Sequence, residues 1–281
     1  MKKNLEVTTY IGCKVLCKYC PQDKIVRAYD NLKAKTNMTL SDFKKILSNV
    51  DKNDTKLIFA GFSECFVNRY AIDMLIYAYQ QGFKIDIFTT MVGLTKSKIL
   101  KLKKAEVGFY AVAFHFFKSS DIVFKKDKFY DMVEFFRNNI KVKVSKIVEV
   151  RNVVSRAGAL FKIKKKTGNI VCLCNSVYQN VVLPNGDVFL CCNDFELKHK
   201  LGNLFEDHYS SDKIEQERKK ILELMKLKDS EIACRLCETS DKSDTKDQIK
   251  FGINKDFLNN SKKVQKRIEV VNKLKIKKEN I

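Results

Sequence analysis

The stretch "IGCKVLCKYCPQ", residues 11–22, places three cysteines close together near the beginning of the chain. They are Cys13, Cys17 and Cys20, with the spacing C-x3-C-x2-C. Soft thiolates favour iron–sulfur or zinc chemistry, and three of them suit a four-iron cluster that keeps one iron free of protein ligands. Zinc sites usually combine C-x2-C pairs, with a second pair completing the tetrahedron. The stretch therefore favours an iron–sulfur loop, with zinc as the alternative.

The ten cysteines of the chain are grouped rather than scattered. Beyond the first three, Cys65 stands alone, four lie between residues 172 and 192, and two lie at 234 and 237. No apolar run is long enough to cross a bilayer, and the N-terminus moves into strand-like residues without a signal-peptide core. We therefore expect a cytoplasmic protein whose cysteines remain thiols or ligands, with Cys65 a small packed residue.

The net charge of +21 raises the question of nucleic-acid binding. The basic residues are 46 lysines and only 8 arginines, and the lysines are spread along the whole chain. Arginine is the residue that usually forms paired hydrogen bonds with phosphates and bases. A composition with few arginines therefore favours a solvated lysine-rich surface over a nucleic-acid interface. A basic face can equally attract an acidic electron-transfer partner.

Alternating strand and helix patterns run to about residue 155. Strand-like segments such as "LEVTTYIG" and "TKLIFAGF" alternate with amphipathic helices such as "TLSDFKKILSNV", for which Thr39 or Ser41 is the expected N-cap. A regular β-α series is typical of a parallel sheet or barrel, whose functional loops follow the carboxyl ends of the strands. The expected class is α/β.

The pattern changes beyond about residue 160. "VYQNVVLPNGDVFLCC" predicts a hairpin around a Pro-Asn-Gly-Asp turn, and a charged helix follows it. We expect a barrel unit over residues 1–160, a cysteine-bearing unit over 161–245, and a basic C-terminal helix or tail over 246–281.

At its first cysteine loop the chain resembles the radical S-adenosylmethionine (SAM) superfamily, in which an aromatic residue, here Tyr19, precedes the third cysteine. The resemblance implies a partial (β/α)6 TIM-like barrel with a [4Fe-4S] cluster on Cys13, Cys17 and Cys20. In that family the open iron binds SAM, and reduction cleaves SAM to a 5′-deoxyadenosyl radical that abstracts a substrate hydrogen.

Two further stretches agree with this resemblance. "FAGFSE" occupies the place of the family's Gly-Gly-Glu motif, so Gly61 and Glu64 are expected to contact SAM, although Phe62, Ser63 and Cys65 depart from the motif. "TTMVGL" follows the third strand, where Thr89 and Thr90 are expected to line the methionine pocket.

The later cysteines resemble the auxiliary-cluster domain called twitch, a relative of the SPASM domain. The resemblance implies a small β-hairpin and helix domain in which four thiolates hold a second [4Fe-4S] cluster: Cys174, Cys191, Cys234 and Cys237. Cys172 or Cys192 can replace a neighbouring ligand, and structural zinc remains the alternative for this set. Gly186 is expected to make the hairpin turn.

The layout with one auxiliary cluster resembles 2-deoxy-scyllo-inosamine dehydrogenase-like enzymes. The resemblance implies oxidation of a carbinol C–H of a small sugar or aminocyclitol to a ketone, with the auxiliary cluster taking the second electron. Arg156 is the first choice for binding or deprotonating the hydroxyl, and His115 is expected at the barrel mouth in a catalytic or SAM-ribose role.

Two alternatives remain open. One is a peptide or protein maturase of the same superfamily, and the other is a basic, zinc-bearing binding protein without enzymatic activity. The expected partners of the favoured enzyme are a small-molecule sugar or aminocyclitol and an acidic flavodoxin- or ferredoxin-type reductant, with neither nucleic acid nor a membrane.

Overall fold

Strands and helices alternate along the first half of the chain. The computed structural model describes residues 3–13, 15, 17, 19–116, 126–149, 154–172, 178–228 and 230–242. The first half contains β1 (Lys3–Val7), α1 (Gln22–Asp30), α2 (Leu40–Ser48), β2 (Thr55–Phe59), α3 (Ala71–Gln80), β3 (Ile85–Thr89), α4 (Lys96–Lys104), β4 (Gly108–Phe116), α5 (Lys126–Asn139) and β5 (Lys141–Glu149). The second half contains β6 (Ile170–Cys172), β7 (Gln179–Val182), β8 (Asp187–Phe189), β9 (Lys200–Asn203), α6 (Asp212–Lys226) and β10 (Ser240–Lys242).

Eight of these strands form one sheet in the order β5-β4-β3-β2-β1-β7-β8-β9. The pairs from β5 to β1 and the pair β1–β7 are parallel, whereas β8 and β9 are antiparallel additions. Apolar side chains of the inner strands, including Leu5, Leu57 and Ile87, are fully buried, as expected for parallel strands covered by helices. The predicted α/β, barrel-like class is confirmed, and its loops converge at the carboxyl edge of the sheet.

The predicted hairpin forms, but it extends the barrel sheet instead of standing apart. β7 pairs in parallel with β1, and β8 returns antiparallel to β7. The turn between them requires Gly186, whose φ is +82° and whose missing Cβ would lie 2.6 Å from Asn203 Oδ1. The division at residue 160 stays a prediction, and the segment 246–281 lies outside the described residues.

Local signals explain how the helices begin. Thr39 is the N-cap of α2 and forms a capping box with Asp42. Ser211 is the N-cap of α6, and its side chain accepts from the backbone N–H of Ile214. The helix α1, which follows the first cysteine loop, was not predicted.

Within the described ranges, no helix combines the length and the apolar character needed to cross a bilayer.

Candidate metal and substrate site

A cavity of about 280 Å³ opens at the carboxyl edge of the parallel strands. It gathers ten residues predicted from the sequence, namely Cys13, Cys17, Tyr19, Cys20, Gly61, Glu64, Thr89, Thr90, His115 and Arg156. These residues come from the loops or ends that follow β1 to β5, so the topology alone accounts for their convergence. Their individual roles stay predictions.

Gln22, the first residue of α1, organises the cysteine loop. Its Oε1 accepts from the backbone N–H of Cys13 at 3.1 Å, and its Nε2 donates to Cys20 Sγ at 3.2 Å. The same Nε2 donates to the carbonyl of Phe62 at 2.5 Å, which ties the loop to the segment after β2. One buried amide therefore contacts both the backbone of Cys13 and the thiol of Cys20.

The chemistry of this donor set fits an iron–sulfur cluster. Burial raises the pKa of Cys13 to about 12, and burial together with the neighbouring thiols raises that of Cys17 further. Thiols in such surroundings ionise only when a cation binds them, which iron does. The backbone N–H of Glu64 also donates to Cys13 Sγ at 3.4 Å. Within the described residues, no group of three or more His, Cys, Asp or Glu side chains is arranged to hold a single metal ion.

Glu64 presents a buried carboxylate beside the cysteine loop. Its Oε1 accepts from Thr89 Oγ1 at 2.8 Å, and its Oε2 accepts from the backbone and side chain of Thr90 at 2.6 and 2.7 Å. Burial nevertheless raises the pKa of Glu64, because desolvation outweighs these hydrogen bonds. Thr89 and Thr90 therefore orient Glu64, a role that the sequence did not predict for them.

His115 and Arg156 share the remaining wall of the cavity. Burial, with a smaller contribution from the charge of Arg156, lowers the pKa of His115 to about 4. The imidazole is therefore neutral at pH 7, and it stacks on the ring of Phe88 with 6.0 Å between centroids. A neutral imidazole can accept a hydrogen bond or a proton, whereas the guanidinium can only donate.

A tight turn holds Arg156 against the second cysteine region. Arg156 and Ala157 both have positive φ, at 54° and 52°. Ser155 is fully buried, its backbone donates to the Glu238 carboxylate, and its Oγ donates to the carbonyl of Leu236 at 3.2 Å. The segment that contains Cys234 and Cys237 thus fixes the backbone from which Arg156 reaches the cavity.

The auxiliary thiols lie behind this turn. The thiol of Cys191 is near those of Cys192 and Cys234, and its burial raises its pKa. Cys237 Sγ accepts from Asn193 Nδ2 at 3.7 Å. Cys192 differs, because it lines the cavity and contacts the carboxyl of Glu6, which supports Cys191 over Cys192 as the ligand. Cys174 lies outside the described residues, so the complete predicted set is not visible.

Several cavity residues were not predicted, among them Glu6, Gln22, Gln179 and Phe195, and Cys192 was predicted only as an alternative cluster ligand. Glu6 carried a usable signal, since a charged residue in a strand buried on both faces needs an explanation. Gln179 and Phe195 carried no such sequence signal, because they reach the cavity only through the pairing of β7 with β1, which the sequence did not predict.

Residues 172–238 match the family model of SPASM, an iron-sulfur cluster-binding domain. The match covers the hairpin, α6 and the pair Cys234 and Cys237. It confirms the predicted auxiliary iron–sulfur region, which follows the barrel-like parallel sheet in the chain. No curated protein sequence matches the chain significantly.

Solved structures that are similar to the chain include two of BtrN and one of SuiB. BtrN in complex with AdoMet and 2-DOIA has a TM-score of 0.57 and 17% identity, over 90% of this chain and 99% of BtrN. BtrN in an open conformation has a TM-score of 0.51 and 17% identity, over 78% and 85% of the two chains. Streptococcus suis SuiB bound to precursor peptide SuiA has a TM-score of 0.48 and 14% identity, over 84% and 70%.

Proposed function

We propose that this protein is a radical SAM oxidoreductase that oxidises a carbinol C–H of a small sugar or aminocyclitol to a ketone. The observation that carries the proposal is the single cavity in which the three thiols, the buried carboxylate of Glu64 and the guanidinium of Arg156 meet. BtrN, which shares the fold, was solved with AdoMet and 2-DOIA, and this pair of ligands supports a small-molecule substrate here.

The cofactors have defined places in this proposal. Cys13, Cys17 and Cys20 hold one [4Fe-4S] cluster, while Cys174, Cys191, Cys234 and Cys237 hold the other. When bound, the first cluster and SAM supply a 5′-deoxyadenosyl radical, and the second cluster accepts an electron.

The protein's own residues bind and orient the reactants. Glu64, held by Thr89 and Thr90, accepts hydrogen bonds from the amino group of SAM, because a buried carboxylate is stabilised by a cationic donor. Arg156 donates to the substrate hydroxyl oxygen. His115, neutral at pH 7, is available to accept the hydroxyl proton.

An acidic flavodoxin- or ferredoxin-type protein is the proposed electron donor. The net charge of +21 favours encounter with an acidic partner, and the effect should weaken as salt is added.

Anaerobic reconstitution tests the proposal. We expect about eight irons per chain, SAM cleavage, and deuterium in 5′-deoxyadenosine when the carbinol carbon of the substrate is deuterated. Cys17→Ala should lose about four irons and all SAM cleavage, while Cys234→Ala should lose about four irons and retain cleavage. One or two zinc ions per chain without SAM turnover would contradict the proposal and favour a zinc-bearing binding protein.

A further inference from the structure

One asparagine connects the arginine of the cavity to the auxiliary thiols. Asn193 Oδ1 accepts from Arg156 Nη1 at 3.5 Å, and Asn193 Nδ2 donates to Cys237 Sγ at 3.7 Å. The backbone N–H of Asn193 donates to the thiol of Cys191. Asn193 therefore contacts two of the four predicted auxiliary ligands and, on its other side, a residue that lines the cavity.

The backbone at Asn193 is held in a tight turn that begins at Cys191. The backbone N–H of Asp194 donates to the carbonyl of Cys191 at 3.1 Å. The buried carboxylate of Asp194 accepts from the backbone N–H groups of Lys198 and His199, at 3.0 and 2.8 Å. These contacts fix the backbone from which the amide of Asn193 extends.

The turn that carries Arg156 is anchored to the segment of Cys237. Ser155 Oγ donates to the carbonyl of Leu236 at 3.2 Å and accepts from the backbone N–H of Gly158 at 3.1 Å. A Cβ at Gly158, whose φ is +81°, would lie 3.1 Å from Leu236 Cδ1. Because both backbones are anchored, the guanidinium, the amide and the sulfur form one short chain of hydrogen bonds.

Such a chain affects the reduction potential of a cluster. Reduction adds negative charge to the irons and their thiolates, so an N–H donor to a thiolate sulfur stabilises the reduced form. An amide donates more strongly when its oxygen accepts from a cation, because consecutive hydrogen bonds polarise one another. Arg156 is that cation, since a guanidinium stays charged at all ordinary pH values.

We propose that Asn193 is a positioning residue that transmits the charge of Arg156 to the auxiliary cluster and thereby raises the potential at which the cluster takes up an electron. The inference rests on the proposed function, in which this cluster accepts one electron as the substrate radical loses its hydroxyl proton and becomes the ketone. It adds the residue that makes the cavity and the cluster electrically dependent on each other.

The test measures the midpoint potential of the auxiliary cluster in the reconstituted, SAM-loaded protein without substrate, by an anaerobic redox titration followed by electron paramagnetic resonance. Asn193→Leu is similar in size and removes both amide contacts. It should disfavour reduction about tenfold, because a hydrogen bond to a charged group is lost, and this corresponds to a fall of about 59 mV for one electron.

A double-mutant cycle tests the transmission from Arg156. Arg156→Met should disfavour reduction about tenfold in the wild type and less than about threefold in the Asn193→Leu background, since the amide no longer links the two groups. A charge that acts only through space would give the same shift in both backgrounds. That result would overturn the inference.

Thr239→Val is the matched control. Thr239 Oγ1 lies 3.1 Å from Cys237 Sγ, so its hydroxyl contacts the same sulfur directly, without Asn193 between them. Thr239→Val should lower the potential on its own and leave the full effect of Arg156→Met in place. A reduced effect of Arg156→Met in this background would contradict a specific role for Asn193.

The iron content of each variant should stay at about eight per chain. If leucine does not fit and auxiliary iron is lost, Asn193→Ala, which only truncates the side chain, should show the same fall in potential. An unchanged potential in these variants, or loss of the auxiliary iron from both, would overturn the inference. If the potentials shift as expected but no deuterium reaches 5′-deoxyadenosine, the role of Asn193 stands and the proposed oxidation fails.

Discussion

Gly61 brings the backbone after β2 against the side chain of Thr8. Its φ is +76°, and a Cβ there would lie 2.2 Å from Thr8 Oγ1. That hydroxyl also accepts from the backbone N–H of Phe62 at 3.0 Å, so it cannot move away without losing this hydrogen bond. Gly61 is therefore needed for the close approach of two strand ends beneath the cavity.

Gly61→Ala should lower the free energy of unfolding by about 1–3 kcal/mol through overpacking, in addition to the cost of a positive φ. Gly168→Ala is the control, because Gly168 has a φ of +86° and nothing within 4 Å of the added Cβ. Urea denaturation of both variants separates overpacking from backbone strain. Equal losses would mean that the contact with Thr8 is unimportant.

His115 makes stability depend on pH. Its pKa is lowered from 6.5 to about 4 in the folded protein, so the unfolded chain binds its proton first as the pH falls. Its contribution is complete above pH 6.5 and is lost progressively toward pH 4. His115→Phe, which keeps a ring against Phe88, should reduce the loss of unfolding free energy between pH 6.5 and pH 4 by on the order of 2 kcal/mol.

Thermal unfolding of the wild type and His115→Phe at several pH values between 7 and 4 measures this effect. Because all other titrating groups are common to both proteins, only the difference between the curves reports on His115. A constant difference over this range would show that the imidazole is not buried as described.

At the scale of elements, Arg235 organises the second cysteine segment. It is fully buried between Cys234 and Cys237, and its guanidinium donates to the carbonyls of Lys166 and Gly168, both at 2.9 Å. It also donates to Ser230 Oγ at 3.0 Å. One side chain thus joins the loop before β6 to the end of α6 and to the ligand segment.

Arg235→Met should remove the hydrogen bonds that hold this segment, and the protein should lose iron selectively from the auxiliary cluster. We expect iron to fall from about eight toward about four per chain, while uncoupled SAM cleavage persists on the first cluster. Arg69→Met, which removes a guanidinium that contacts Tyr70 outside this segment, should leave the iron content unchanged. Loss of both clusters together would indicate general misfolding instead.

The sequence predicted those elements whose signals are local. The N-cap of α2, predicted at Thr39 or Ser41 and found at Thr39, the turn at Gly186 and the spacing of the first three cysteines are short-range patterns, and the structure places each at an element boundary or in the cavity. The parallel pairing of β7 with β1 joins residues far apart in sequence, and neither strand encodes its partner. For that reason Gln179 was missed as a cavity residue.

At the scale of the whole molecule, that pairing makes the barrel and the auxiliary region one structure. β1 is hydrogen-bonded to β2 on one side and to β7 on the other, so the sheet is continuous from β5 to β9. Behind it, Arg218 of α6 is fully buried and donates to Asn180 Oδ1 at 2.6 Å, and Tyr209 donates to the same oxygen at 2.8 Å. Tyr209, in the segment before α6, shares its hydroxyl hydrogen with the carbonyl of Asn4 at 3.1 Å, which connects that segment to both central strands.

Arg218→Met should therefore destabilise both halves of the sheet, by about 1–3 kcal/mol for the lost charge-assisted hydrogen bonds. Hydrogen exchange of the reconstituted protein, followed by mass spectrometry, should speed up equally in peptides from β3 and from β8. Lys219→Met, an exposed neighbour on α6, should change neither. Equal effects are expected because a continuous sheet transmits the lost stability through β1 to the strands on its far side. Faster exchange in β8 alone would contradict this and would mean that the auxiliary region opens independently.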